Sequence, residues 1–185
     1  NIPIILEVTV INGKWAIVYE HIKGKNLAAL MTEHPEKKDE YIDKFINLQL
    51  DVLSKKCPEL TLLSDKLTRN ICDTDFAATV RYDLLDRLND MPKHTKISDK
   101  NDPFILDWSH AAKGNGAADA AGTYLYFLYG GETETAEQYL NGICEKSGTE
   151  RGYVERWFPI IAASKSAKAG KDQKKFYTAI VEKYI

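Results

Sequence analysis

The run Ile4-Ile5-Leu6-Glu7-Val8-Thr9-Val10-Ile11-Asn12-Gly13-Lys14-Trp15-Ala16-Ile17-Val18-Tyr19-Glu20-His21-Ile22 decides how the fold begins. Two β-branched and aromatic segments, 4–10 and 15–22, flank Ile11-Asn12-Gly13-Lys14. Asn-Gly takes positive φ readily at both central positions of a two-residue turn, and that turn matches the twist of the strands on either side. The spacing predicts an antiparallel hairpin. Two strands alone are marginal in water, so this hairpin is expected to need further strands or a helix over its apolar face. The chain opens on this core-like run without a methionine, which sets the expectation of a segment upstream.

Lys23-Gly24-Lys25 breaks the pattern and reads as a linker, and from Asn26 the apolar spacing becomes helical. Leu27, Leu30 and Met31 share a face, and Tyr41, Phe45, Leu48 and Val52 recur at three and four residues, which predicts core stripes. Pro35-Glu36-Lys37-Lys38-Asp39-Glu40 is a helix start with acids near the positive end of the helix dipole, and Pro58 ends that helix or lies just beyond it. Helices are expected over 60–70 and 75–88, the second presenting Val80, Leu84, Leu85 and Leu88 before Met91-Pro92 stops it. A polar stretch over 93–102 leads to a short strand, Pro103-Phe104-Ile105-Leu106, that ends in Asp107-Trp108. Beyond Gly114-Asn115-Gly116, helices over 117–129, 132–146, 150–168 and 172–184 are expected to form a bundle with short turns. The fold class is therefore α+β, with a small β part at 1–22 and a mostly helical body at 23–185.

With 25 Lys+Arg against 27 Asp+Glu the net charge is −2, so no overall basic field exists to favour nucleic acid or an anionic membrane as a partner. Cys57, Cys72 and Cys144 form no CxxC pair and have no His at zinc-ligand spacing, which fits a reducing cytoplasm. The opening residues hold no basic region followed by an apolar stretch, and no run approaches the roughly 20 apolar residues that span a bilayer. A cytoplasmic location is expected.

The segment richest in chemistry is Phe104-Ile105-Leu106-Asp107-Trp108-Ser109, followed by Gly114 and Ala117-Ala118-Asp119. An acid at the end of a buried strand can aim its carboxylate into a cleft, where a hard oxygen suits Mg²⁺ on nucleotide phosphates. The plainer reading is an Asp that caps the next turn. Asp119 stands in an Ala-rich helix start, where the dipole favours an acid whatever the function; the alternative is a role in holding an active-site loop.

The order of these segments resembles the aminoglycoside phosphotransferase and choline kinase-like family, which has a protein kinase-like two-lobe fold. In that family a hinge strand of the form I-V-Y-E-x-I-x-G leads into helices, and an apolar-apolar-Asp-Trp segment is followed by Gly and then Asp-Leu-Ala or similar. Ile17-Val18-Tyr19-Glu20-His21-Ile22-Lys23-Gly24 matches the hinge, Ile105-Leu106-Asp107-Trp108 the metal-binding segment, and Ala118-Asp119-Ala120-Ala121 the third. The likeness covers nearly the whole chain, more loosely in the terminal helices, and its specificity lies in the ordered combination. It implies that residues 1–22 are a remnant of the small lobe and 23–185 the large one. The main chain of Glu20, His21 and Ile22 would meet the adenine edge of ATP, with Tyr19 and Ile22 packing the hinge. Asp107 would bind Mg²⁺ bridging the phosphates, and Asp119 would brace the catalytic loop. The implied reaction is in-line transfer of the γ-phosphate to a hydroxyl of a small acceptor such as an aminoglycoside, another sugar, choline or an amino alcohol.

Two departures stand against that likeness. The family places His-Gly-Asp, four residues and Asn between the proline-ended helix and the Asp-Trp strand, and residues 93–104 hold no His-Gly-Asp. Neither His94 nor Asp99 has the required spacing, so the catalytic roles are not transferred and the catalytic residues stay unassigned. The phosphate-covering loop and phosphate-contacting Lys of the small lobe would precede Asn1. Phosphoryl transfer depends on positioning and charge neutralisation, so the chain as it stands is expected to be inactive, and a nucleotide-binding or interaction module is the alternative.

Arg81, Arg87, Lys93, Lys96 and Lys100 read as a solvated face or as attraction for phosphate, and Tyr153, Trp157 and Phe158 as core or as an acceptor pocket. Glu132, Glu134 and Glu137 suit a cationic acceptor and are equally good helix-start residues. The Lys-rich stretch 165–175 reads as a helix-loop-helix with a solvated face, and His110 as a residue beside Asp-Trp-Ser with no assigned role.

Overall fold

Asn12 and Gly13 both take positive φ, 52° and 76°, as a two-residue primed turn requires. The turn joins β1 (Ile5–Ile11) to β2 (Lys14–Tyr19) in the expected antiparallel register, with Val10 opposite Trp15 and Val8 opposite Ile17. The ladder slips between Ile5 and Glu7. The computed structural model describes residues 3–55, 59–92 and 111–185. Within them the second strand is shorter than the apolar run predicts. It ends at Tyr19, and one further bond, Glu20 N to Ile4 O at 3.0 Å, closes the pair before residues 20–26 run on without regular structure.

Strand alternation puts Val8, Val10, Trp15 and Ile17 on one face of this ribbon. All four lie open, Trp15 at 81 % of its surface, so among the described residues nothing covers the face for which the sequence demands a cover. Tyr19, expected to pack the hinge, is also exposed, while Ile22 is half-buried.

The helical body begins at α1 (Leu27–Glu33), where Asn26 accepts a hydrogen bond from Ala29 N at 2.8 Å and satisfies one orphan donor of the first turn. Leu27, Leu30 and Met31 do share a face, but it is only half-buried, so α1 lies on the surface of the core. A short 3₁₀ turn, Pro35–Lys37, feeds α2 (Lys38–Ser54). Here the predicted stripe is rotated. The deepest residues are Ile42, Ile46, Gln49 and Leu50, with Tyr41 at their edge, and Phe45, Leu48 and Val52 are half-buried.

Next come α3 (Leu63–Cys72) and α4 (Ala78–Asn89), the latter burying Leu84 and Leu88 as the spacing predicts. Among the described residues five helices follow where the sequence indicates four. They are α5 (Gly116–Tyr129), α6 (Thr133–Ser147), the pair α7 (Arg151–Glu155) and α8 (Phe158–Ser166), and finally α9 (Lys171–Tyr184). The split between α7 and α8 has a covalent cause. Pro159 donates no N–H and its ring would strike the carbonyl of Glu155, so the helix expected over 150–168 breaks at Arg156-Trp157.

The core gathers around α5, whose Ala117, Ala118, Ala120 and Ala121 are buried and let neighbouring helices approach closely. Tyr124 of α5 stacks on Phe158 of α8 with ring centroids 4.8 Å apart. Trp157 and Phe158 are buried, which is the core reading of that aromatic group, and Tyr153 is half-buried. Among the described residues no helix is long and apolar enough to cross a membrane. The architecture is α+β, a two-stranded antiparallel sheet ahead of a predominantly helical body.

Candidate functional site

The start of α5 is fixed from three directions. Asn115, 3 % exposed, accepts from Ala117 N at 2.9 Å as the helix cap. Its amide donates to Pro92 O at 2.8 Å and to the Tyr153 hydroxyl at 2.5 Å. One side chain thus ties the end of the α4 segment, the head of α5 and α7 together. Just before it, Lys113 pairs with the chain ahead of α3: Leu63 N donates to Lys113 O at 2.8 Å and Lys113 N to Thr61 O at 3.0 Å. Gly114 is needed where these segments meet, because a Cβ there would overlap the Leu63 side chain.

This anchoring presents Asp119 in the first turn of α5, where the helix dipole favours a carboxylate. Asp119 itself is exposed at the surface of the helix. Gln49 of α2 donates its amide to the Asp119 carboxylate and also lies 3.3 Å from Thr123 Oγ1. The oxygen of Gln49 accepts from the Tyr139 hydroxyl of α6 at 2.5 Å. Burial pushes the Asp119 carboxyl above the usual range, while the Gln49 bond and the charge of Lys165 on α8 pull it down. Burial likewise pushes the Tyr139 hydroxyl up. The group is a carboxylate held by the Gln49 amide of α2, and it can accept from backbone N–H groups or from a polar ligand at the surface.

Of the residues singled out in the sequence, Asp119 occupies this position in the first turn of α5. Glu20, His21 and Ile22 lie on the connection after β2; Glu20 Oε1 accepts from Ile4 N at 2.9 Å, a bond that closes the open end of the hairpin. Asp107, the expected Mg²⁺ ligand, lies outside the described residues, as do Lys93, His94, Lys96, Asp99, Lys100 and His110. Among the described residues no three His, Cys, Asp or Glu side chains converge as a metal site. Asp119 and its neighbours therefore supply no metal cage of their own.

Other candidates have structural employment. Arg81 donates to Thr74 O at 3.0 Å, and Arg87 pairs with Asp83 at 2.7 Å and donates to Tyr184 O at 2.9 Å. Glu137 is held by Arg151 at 2.7 Å and by the Tyr124 hydroxyl at 2.7 Å, and hydrogen bonding from Arg151 lowers its carboxyl below the usual range. Glu134 sits in the first turn of α6, as a helix-start residue does.

Sequence reading missed Gln49, Asn115 and Tyr139. Gln49 left a signal, since it is a polar residue in the i, i+4, i+7, i+8 series with Ile42, Ile46 and Leu50. Lys165 belongs to the Lys-rich stretch that reads as solvated, and it is exposed. No protein-family model, curated protein or solved structure matches the chain.

Proposed function

We propose that the chain belongs to an ATP- and Mg²⁺-dependent phosphotransferase of the aminoglycoside and choline kinase-like type, which moves the γ-phosphate to a hydroxyl of a small acceptor. The observation that carries this reading is the ordered combination of Ile17 to Gly24, Ile105 to Trp108 and Ala118 to Ala121 along one chain. Its support in the fold is a β-hairpin that precedes a helical body, and an Asp119 carboxylate held by Gln49 in the first turn of α5. On this reading residues 1–22 belong to a small lobe and 23–185 to the large one. The main chain of Glu20, His21 and Ile22 meets adenine, Asp107 holds the magnesium, and Asp119 braces the loop that positions the acceptor hydroxyl. The location is cytoplasmic, where ATP is plentiful and the thiols stay reduced.

A second reading is favoured by one specific observation, the lack of His-Gly-Asp between residues 93 and 104. Without that base the chain retains nucleotide binding and loses turnover, so it serves as a nucleotide-binding or interaction module. Calorimetric titration with Mg-ATP, combined with γ-phosphate transfer assays on aminoglycosides, sugars, choline and amino alcohols, separates the two. Binding with transfer supports the enzyme, binding without transfer supports the module, and no binding at millimolar Mg-ATP removes both.

A further inference from the structure

The apolar face of the hairpin has no cover among the described residues. Val8, Val10, Trp15, Ile17 and Tyr19 point the same way, because Val8 pairs with Ile17, Val10 pairs with Trp15, and residues 15, 17 and 19 alternate to one side of β2. Their exposures run from 44 % at Tyr19 to 81 % at Trp15, and none of them carries a charge. The opposite face holds Glu7, Thr9 and Lys14 and suits water. Together the five apolar side chains expose on the order of 500 Å², the size at which a surface patch is commonly a binding site. Pairing at the edges fits this ribbon poorly. β1 slips its register between Ile5 and Glu7, which bends the strand and interrupts the row of free N–H and C=O groups that a new strand would need. β2 is six residues long and carries Lys14 at its turn end.

We propose that two copies of this chain associate through these apolar faces, stacking their hairpins into a two-layer, four-stranded sandwich about a two-fold axis. The symmetry makes each patch its own complement. Two patches bury about 1,000 Å², the lower bound for a specific interface. A lone pair of strands is marginal in water, and the second copy supplies the layer that each hairpin lacks. Neither face holds a charge to desolvate, and a net charge of −2 adds little repulsion between copies. Trp15, a large rigid side chain open at the centre of the contact, is the kind of anchor on which such an interface rests. The two strands hold one Lys, one Glu and no Arg, so they lack the basic excess that would direct the face to an anionic membrane instead. An interface of this size gives a weak dimer, with a dissociation constant on the order of 10 μM.

Sedimentation velocity of the full chain, over concentrations reaching about tenfold either side of that value, tests the proposal. The wild type is expected to pass from the 20.9 kDa chain mass to twice that mass. Val10→Lys and Trp15→Glu put charge into the apolar face and are expected to weaken association at least about tenfold, while Thr9→Lys on the opposite face leaves it within about twofold. Circular dichroism checks that each variant is folded. Should they fail to fold, dilution of the wild type decides: the Trp15 indole N–H resonance, assigned by its loss in Trp15→Phe, is expected to move along the same association curve. A monomer at every concentration, an unmoved Trp15 resonance, or a dimer indifferent to the substitutions in folded variants overturns the proposal. Growth past the dimer into open chains overturns it in favour of edge pairing, and a monomer that floats with phosphatidylcholine vesicles overturns it in favour of a lipid surface. The measurement needs no nucleotide, so it stands apart from the proposed function.

Discussion

Replacing Asn115 with alanine removes three hydrogen bonds from one buried point. Loss of the helix cap costs about 1 kcal/mol. Loss of the donors to Pro92 O and the Tyr153 hydroxyl costs about 1 kcal/mol each, since both acceptors are left short of a partner. The sum, about 3 kcal/mol, lowers the melting temperature of a chain this size by roughly 6–12 °C. Asn115→Ser separates the parts: it keeps a cap oxygen, loses the donor arm, and is expected to cost about 2 kcal/mol. Asn115→Asp keeps the cap and sets a carboxylate against the Pro92 carbonyl, now 2.8 Å from the amide, so it should be worse than serine although the helix dipole favours the charge. Urea unfolding followed by circular dichroism at 222 nm reads all three. Equal losses for alanine and serine, or a loss under about 1 kcal/mol for alanine, would refute the three-way anchor.

Asp119→Asn is expected to stabilise the protein at neutral pH. Burial raises the folded carboxyl above its unfolded value, so the stability linked to this group is fully present below about pH 4 and is lost as pH rises through the folded value. The urea midpoints of mutant and wild type should therefore converge near pH 4 and separate toward pH 7, with the mutant higher; a wild type that is the more stable at pH 7 contradicts this. Gly114→Ala forces a Cβ into the Leu63 side chain and should cost about 1–3 kcal/mol by the same unfolding assay, against a small change for Gly152→Ala, where nothing lies within 4 Å.

The hairpin was legible because Asn-Gly constrains two φ values locally, and most helices because their apolar spacing survives in any context. Three features were not. The α7–α8 break turns on Pro159, which stands inside an otherwise continuous apolar pattern. The α2 stripe is rotated because Phe45 and Leu48 are as apolar as Ile42 and Ile46, and only the position of α6 decides which face goes inward. The approach of Lys165 to Gly122 was hidden because it depends on two helices remote in sequence packing together. For the site, the first-turn position of Asp119 follows from the sequence, whereas Gln49 of α2 and Tyr139 of α6 behind it are named by no local pattern.

The central claim is that the connection after β2 receives a nucleotide. It is tested most directly by amide chemical shifts during titration with Mg-ATP, with magnesium alone as the control. The account predicts saturable shifts at Glu20, His21 and Ile22, accompanied by shifts at the head of α5 around Asp119. Unmoved amides at residues 20–22 under millimolar Mg-ATP, or shifts confined to other parts of the chain, would contradict it.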